Sequence, residues 1–264
     1  MPITLTNESL VYAAQSVVGR VREHNEDAVL CCPELNLWAI ADGMGGHQRG
    51  EVASATALET LHEVTARGED LVAAIHAANA AVIAAAGQDS GARGMGTTVV
   101  AVQFVGADFA VAWIGDSRAY RVSADSISPL TQDHSWVQMM VDAGAMSADE
   151  ARSDPRRNII LQCVGQTGQP LEVGLVRGTL EPDELLLLCS DGLTGELTDQ
   201  QIQQLCATAG TLDELVAQLI ELANQMGGKD NISCIVLGRS VPETPVVEAR
   251  PRSFLSKLLK SKKH

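Results

Sequence analysis

The sequence predicts an α+β fold in which antiparallel sheets carry helices on their outer sides. Short apolar runs come in groups, and helical segments come in pairs between those groups. A doubly wound parallel sheet would alternate strand and helix one at a time, so this order favours antiparallel pairing. Four segments also open with Ser or Thr and carry Gln or Glu three residues later. That spacing is typical of a capping box at a helix N-terminus.

The strands and helices are predicted from hydrophobic periodicity and β-branched content. In chain order the strands are Val11–Val17, Ala28–Cys31, Leu37–Ala41, Thr97–Val105, Phe109–Ile114, Ala119–Val122, Leu171–Val176, Glu184–Cys189 and Ile232–Leu237. The helices are Glu51–Thr65, Asp70–Ala86, Trp136–Ala143, Asp199–Ala207 and Leu212–Gln225, and the capping pairs are Ser135/Gln138, Ser147/Glu150, Thr198/Gln201 and Thr211/Glu214. The polar segment 132–169 is expected to leave the sheets as an excursion.

Composition limits the classes of function. The 264 residues are 45% apolar and carry a net charge of −14, which argues against a nucleic-acid surface. Residues 240–264 hold six Lys or Arg and two Glu, so the rest of the chain carries −18. We expect one domain over residues 1–239, a proline-containing linker over 240–252 and a basic tail over 253–264. Six cysteines without a C-x-x-C pair, and no signal peptide, predict a cytoplasmic protein.

A glycine-rich loop raises the first question about function. Residues 39–50 read AIADGMGGHQRG, so Asp42 follows an apolar run and the loop beside it is rich in glycine. A phosphate-binding P-loop would need a lysine that the loop lacks, and the G-x-G-x-x-G fingerprint fails at Gln48. The loop therefore does not match a nucleotide-binding motif, and a metal site becomes the better hypothesis.

Asp42 has four counterparts that also border apolar runs. They are Asp27, Asp116, Asp191 and Asp230. Any one of them, taken alone, is more typical of a turn. Five in one chain favour a shared site, because scaffolds build sites from side chains at converging strand ends.

Oxygen ligands select hard cations such as Mg²⁺ or Mn²⁺. Gly43 would let the backbone approach such an ion, and its carbonyl could serve as a ligand. Arg22 could hold a phosphate by a bidentate fork. His47 could protonate a leaving oxygen near neutral pH, although a plain loop residue is an equal reading of it.

The motifs together resemble those of bacterial protein phosphatase 2C, a family of metal-dependent serine/threonine phosphatases. In order they are VREHNEDA, ADGMGGH, GTTVVAV, GDSRAY, LTQDHSWVQ, DPRRNIILQCVG, LLLLCSDGLTGEL and KDNIS. The resemblance covers about residues 11–236. It implies a β-sandwich of two antiparallel sheets with helices on both outer faces. It also implies hydrolysis of phosphoserine and phosphothreonine by a water held between two Mn²⁺ or Mg²⁺ ions.

The resemblance also implies roles for individual residues. Asp42 would bridge both ions, and the Gly43 carbonyl would bind one of them. Asp191 and Asp230 would be ligands of one ion and Asp27 a ligand of the other, with Glu26 close by but not bound to the ion. Arg22 would hold the substrate phosphate, and His47 would be the general acid. Asp133, with Asp191, would hold a third, weaker ion. Residues 133–165 would form a flap beside the site. Asp116 is expected to be structural, and Asp154-Pro155 stands where the usual bacterial flap has His-Pro.

Two other functions remain open at this point. A pseudophosphatase would bind a partner without catalysis, but such proteins are expected to lose metal carboxylates, and all are present here. A phosphatase devoted to one regulatory protein usually carries a sensor domain. The resemblance implies phosphorylated proteins as substrates, among them a Hanks-type kinase and forkhead-associated-domain proteins, and a monomer. The tail would be either disordered or a weak tether to an anionic membrane or an acidic partner.

Overall fold

The computed structural model describes residues 9–45, 49–88 and 94–240, and two antiparallel sheets form its centre. Within those ranges the strands are β1 Ser9–Val17, β2 Asp27–Cys32, β3 Leu37–Met44, β4 Gly96–Thr97, β5 Val99–Val105, β6 Asp108–Ile114, β7 Arg118–Val122, β8 Ile127–Pro129, β9 Gly174–Thr179, β10 Leu185–Cys189 and β11 Ile232–Ser240. One sheet has the order β1-β11-β10-β7-β8. The other has the order β2-β3-β5-β6-β9, with β4 paired to β3.

The described helices lie on the outer faces of the two sheets, except for two short ones within residues 133–165. They are α1 Arg49–Ala66, α2 Leu71–Gln88, α3 Trp136–Asp142, α4 Ala148–Ser153, α5 Asp191–Thr194, α6 Asp199–Thr208 and α7 Leu212–Met226, with a 3₁₀ turn at Pro33–Leu35. Helices α1 and α2 pack on the sheet that contains β3. Helices α5, α6 and α7 pack on the sheet that contains β10.

The molecule has four layers, namely the two sheets and the helices outside each of them, and alternating side chains along the strands hold these layers together. In β10, Leu185 and Leu187 face the outer helices, whereas Leu186 and Leu188 face the other sheet. The interior between the sheets also holds Trp38, which lies in β3. Because side chains alternate along a strand, each buried strand contributes to two cores at once. The predicted sandwich with helices on both outer faces is confirmed.

The boundaries show where the sequence was less informative. The predicted strand Leu171–Val176 is wrong in its bounds. The strand begins at Gly174, which lies against the Trp113 ring, and it pairs with β6 as far as Thr179. The short elements β8, α4 and α5 had no periodicity long enough to identify them. Ser147 and Thr198 form full capping boxes, whereas Ser135 and Thr211 cap their helices only by accepting a backbone N–H. The predicted linker and tail lie outside the described residues.

Residues 133–165 form the predicted excursion, which we call the flap. It contains α3 and α4, and its returning chain is held on α3 by the Arg156 guanidinium, which lies 3.7 Å from the centre of the Trp136 ring. Asp154 binds the same guanidinium through two hydrogen bonds of 2.9 Å. A cavity of about 740 Å³ separates the flap from α5 and α6, and Asp116 and Asp191 lie in its wall.

None of the described helices combines the length and the hydropathy that crossing a bilayer requires.

Candidate metal centre

The five strand-end aspartates meet at one end of the sandwich. Asp27 at the start of β2 pairs directly with Asp42 near the end of β3. Directly opposed residues of an antiparallel pair project from the same face with Cβ atoms about 5 Å apart. The register of the β2–β3 pair therefore brings together two carboxylates that are fifteen positions apart in the sequence.

The second sheet supplies two further carboxylates at the same end. Strand β10 ends at Cys189, which pairs with Cys234 near the start of β11. Asp191 is the first residue of α5 after β10, and Asp230 precedes β11. Antiparallel neighbours end and begin on the same side, so these two aspartates lie close together, and repulsion between them contributes to the raised pKa of Asp191.

Backbone contacts fix the position of Asp42 and Gly43. The Asp42 carbonyl accepts hydrogen bonds from the Thr98 N–H and the Thr97 hydroxyl, both at 2.9 Å. The Gly43 N–H donates to the Glu26 carbonyl. A Cβ on Gly43 would collide with the Gly50 carbonyl at the start of α1. The glycine therefore allows α1, β2 and β3 to approach one another beside the carboxylates.

The buried aspartates of this cluster repel one another, and Arg22 offsets only part of their charge. Loss of hydration on burial raises the pKa of Asp27 to about 7 and that of Asp191 to about 6, and neighbouring aspartates add to both shifts. Burial, with repulsion from Asp27 and Asp191, raises the pKa of Asp42 well above its usual range. Burial, with repulsion from Asp191 and Asp133, does the same to the pKa of Asp116. A divalent cation would relieve this repulsion.

Three buried carboxylate oxygens in the cluster are suited to bind such a cation. Asp27 Oδ1, Asp116 Oδ1 and Glu26 Oε1 are buried and accept no hydrogen bond among the described residues. Buried polar atoms without partners are rare in folded proteins, and a bound ion or water is a common partner for them. No three acidic, His or Cys side chains within the described ranges already surround one point at coordination distances. Mg²⁺ needs no such cage, because it keeps several waters and takes one or two carboxylates.

Asp116 and Asp133 differ in their hydrogen bonding, and the predicted role of Asp133 in holding a third ion stays a prediction. Asp133 accepts hydrogen bonds from Arg118 Nε at 2.8 Å and Nη2 at 2.7 Å, so both of its oxygens are engaged. Asp116 is only 6% exposed, and its Oδ1 accepts no hydrogen bond among the described residues. Asp191 is its strongest repulsive neighbour. The sequence could have indicated the pairing of Arg118 with Asp133, since an arginine close to a motif aspartate is a ready partner for a second carboxylate.

Arg22 stands at the mouth of the cluster. Its side chain is 53% exposed and donates from Nη2 to Asp230 Oδ2 at 2.7 Å. A guanidinium in this place can still offer donors to a phosphate arriving from solvent. His47 lies outside the described residues.

We expect the protein stripped of divalent ions to lose stability as pH rises. The folded cluster takes up protons below about pH 6–7, whereas unfolded aspartates do so below about 4. Between those limits the folded state binds more protons, so the free energy of unfolding falls with increasing pH. Melting temperatures between pH 5 and 8 should therefore decrease for the stripped protein and recover when Mn²⁺ is added. A melting temperature that rises over this range would contradict the carboxylate cluster.

Arg22→Gln should lower kcat/KM for a phosphopeptide by roughly 100-fold and weaken inhibition by inorganic phosphate, because it removes a charged donor from the site. Arg177→Gln is the control, since Arg177 is exposed on β9 away from the aspartates. Equal phosphate inhibition of both variants would exclude phosphate binding by Arg22.

Comparison with known proteins agrees with this geometry. The family model described as protein phosphatase 2C matches residues 19–236, a span that contains the five aspartates and Arg22. The chain belongs to the protein phosphatase 2C family. The serine/threonine protein phosphatase PstP of Mycobacterium tuberculosis is 37% identical over 233 residues, which is 86% of this chain and 44% of PstP. The present chain therefore spans less than half the length of that relative.

One other relative and two solved structures of PstP match over nearly the whole of their chains. The serine/threonine phosphatase stp of Listeria innocua is 33% identical over 236 residues, covering 84% of this chain and 93% of stp. A crystal structure of M. tuberculosis PstP superposes with a TM-score of 0.79 at 36% identity, covering 87% of this chain and 98% of that one. The PstP catalytic domain in complex with two manganese ions also gives a TM-score of 0.79, at 34% identity, over 88% of this chain and 99% of that one.

Proposed function

We propose that this chain is a metal-dependent phosphatase that hydrolyses phosphoserine and phosphothreonine in proteins. The observation that carries the proposal is the group of five aspartates at one end of the sandwich, with buried oxygens that have no partner among the described residues. The names of its phosphatase 2C relatives support the same activity.

The site would hold two Mn²⁺ or Mg²⁺ ions through Asp27, Asp42, the Gly43 carbonyl, Asp191 and Asp230. The two manganese ions of the PstP catalytic domain support this number. When bound, the ions supply an activated water and neutralise charge on the phosphoryl oxygens. For a third, weaker ion we propose Asp191 with Asp116 in place of Asp133, because Arg118 engages both Asp133 oxygens.

The protein groups around the ions divide the remaining work. Arg22 binds the phosphate oxygens and orients the phosphorus, since a guanidinium fork matches phosphate geometry. His47 is the proposed donor of a proton to the serine or threonine oxygen that leaves. The cavity between the flap and α5 would receive the residues next to the phosphorylated one, because it opens beside Asp191.

The wider setting belongs to the proposal as well. Phosphorylated proteins are the substrates, and we propose a Hanks-type kinase and forkhead-associated-domain proteins among them. We further propose that the protein is a monomer and lies in the cytoplasm, a reducing compartment in which six free thiols persist. A purely binding role is disfavoured, because every carboxylate that the metals need is present.

Two phosphopeptides test the substrate class. They share one sequence that contains a threonine and a tyrosine, and one peptide is phosphorylated on the threonine and the other on the tyrosine. With Mn²⁺ present, we expect phosphate release to be much faster from the phosphothreonine peptide. The same peptides with the Asp191→Asn variant provide the background. Preference for phosphotyrosine, or no release above that background, would contradict the proposed function.

A further inference from the structure

The two oxygens of Asp27 are in different environments. Oδ2 accepts hydrogen bonds from the hydroxyls of Ser233 at 2.6 Å and Ser190 at 2.8 Å. Oδ1 is buried and has no partner among the described residues. One oxygen is thus held from two sides, while the other is left open within the acidic cluster.

Both hydroxyls are buried and directed to this carboxylate. Ser190 and Ser233 are each 0% exposed. Ser190 Oγ accepts the Ser233 backbone N–H at 3.0 Å, so its proton is free for Asp27. Ser233 Oγ also lies 2.8 Å from Ser16 Oγ, but its single proton serves the nearer, charged oxygen. Ser16 in turn accepts from Asn25 Nδ2 at 2.8 Å.

We propose that Ser190 and Ser233 are positioning residues that hold Asp27 so that it presents one oxygen, Oδ1, to the cations. The inference rests on the proposed metal-dependent function. Groups that orient a metal ligand through hydrogen bonds typically change metal affinity by about 10–100-fold when they are removed. A single presented oxygen suits the octahedral coordination of Mg²⁺ and Mn²⁺, whereas Ca²⁺ takes six to eight oxygens and accepts bidentate carboxylates.

Calorimetric titration of the full chain with Mn²⁺, in the absence of substrate, tests the proposal. We expect Ser233→Ala and Ser190→Ala each to raise the Mn²⁺ dissociation constant about 10-fold or more. In an Asp27→Ala background, Ser233→Ala should have little further effect, because a residue that acts through another loses its effect when that other is removed. Fully additive effects on the dissociation constant would overturn the proposal.

Ser16→Ala is the matched control, since it removes a hydroxyl from the same network without a contact to Asp27. It should change Mn²⁺ affinity much less than Ser233→Ala. An equal loss would show that packing of the network controls binding, rather than the serine clamp, by which we mean the hydrogen bonds of Ser190 and Ser233 to Asp27. The ratio of Ca²⁺ to Mn²⁺ dissociation constants should fall in the two clamp variants, and an unchanged ratio would also count against the proposal.

The outcomes separate this inference from the proposed function. A wild-type chain that binds no Mn²⁺ would contradict the proposed function itself. Wild-type binding with unchanged clamp variants would overturn only the role of the two serines. Circular dichroism of the metal-free variants checks folding, and if Ser233→Ala does not fold, Ser190→Ala in both backgrounds carries the same test.

Discussion

Asp42→Asn should lower phosphopeptide turnover by roughly 1,000-fold while the protein stays folded. Asparagine keeps the size of the side chain but removes the charge of the aspartate that would bridge both ions. It also removes repulsion from Asp27 and Asp191, which adds to burial in raising the pKa of Asp42 in the metal-free protein. The metal-free variant should therefore melt at the same temperature as the native chain or above it. Steady-state phosphate release and thermal unfolding measure the two effects.

Asp125→Asn is the control for that substitution. It removes the same charge from the exposed turn between β7 and β8, at the opposite end of β7 from Asp116, and we expect native turnover. An Asp42→Asn protein that releases phosphate at the native rate with matched Mn²⁺ would refute the assignment of Asp42.

Gly43→Ala should destabilise the protein by about 3 kcal/mol, at the upper end of the usual cost of overpacking. The new Cβ would overlap the Gly50 carbonyl and stand 2.5 Å from the Glu26 carbonyl, and neither backbone group can turn away as a side chain could. For a domain of this size the expected fall in melting temperature is roughly 6–12 °C. Separation of α1 from β3 should also weaken Mn²⁺ binding, which calorimetry would detect.

Gly87→Ala is the matched control for the added methyl group. Gly87 lies in α2, and a Cβ there meets nothing within 4 Å. Alanine is favoured over glycine in helices by about 0.5–1 kcal/mol, so this variant should be neutral or slightly more stable. Similar losses of stability in both variants would mean that the close approach at Gly43 does not limit packing.

Hydrophobic alternation predicted most of the fold because it reports directly on burial. In β10 and β3 the odd and even positions face different layers, and each run is long enough to be recognised as a strand. β9 was misplaced by three residues because it is an edge strand whose start depends on Gly174 lying against Trp113, a contact with a residue from another part of the chain. The one-turn helix α5 is too short to show a period.

The site was predictable as a set of residue types but not in its details. Five aspartates beside apolar runs indicated a common carboxylate site. What the sequence could not supply was the pairing of Arg118 with Asp133, which leaves Asp116 open, because that pairing depends on how the flap meets β7. The serine clamp on Asp27 was missed for the same reason, since Ser190 and Ser233 are more than 160 residues away from it in the sequence.

Metal dependence of phosphate release tests the central claim most directly. The chain would be stripped with a chelator, freed of it, and assayed on a phosphothreonine peptide while Mn²⁺ is added stepwise. We predict no release before the first addition and a saturable recovery that Asp191→Asn cannot reproduce. Full turnover by the stripped chain, or a rate independent of Mn²⁺, would contradict a function built on the aspartate cluster.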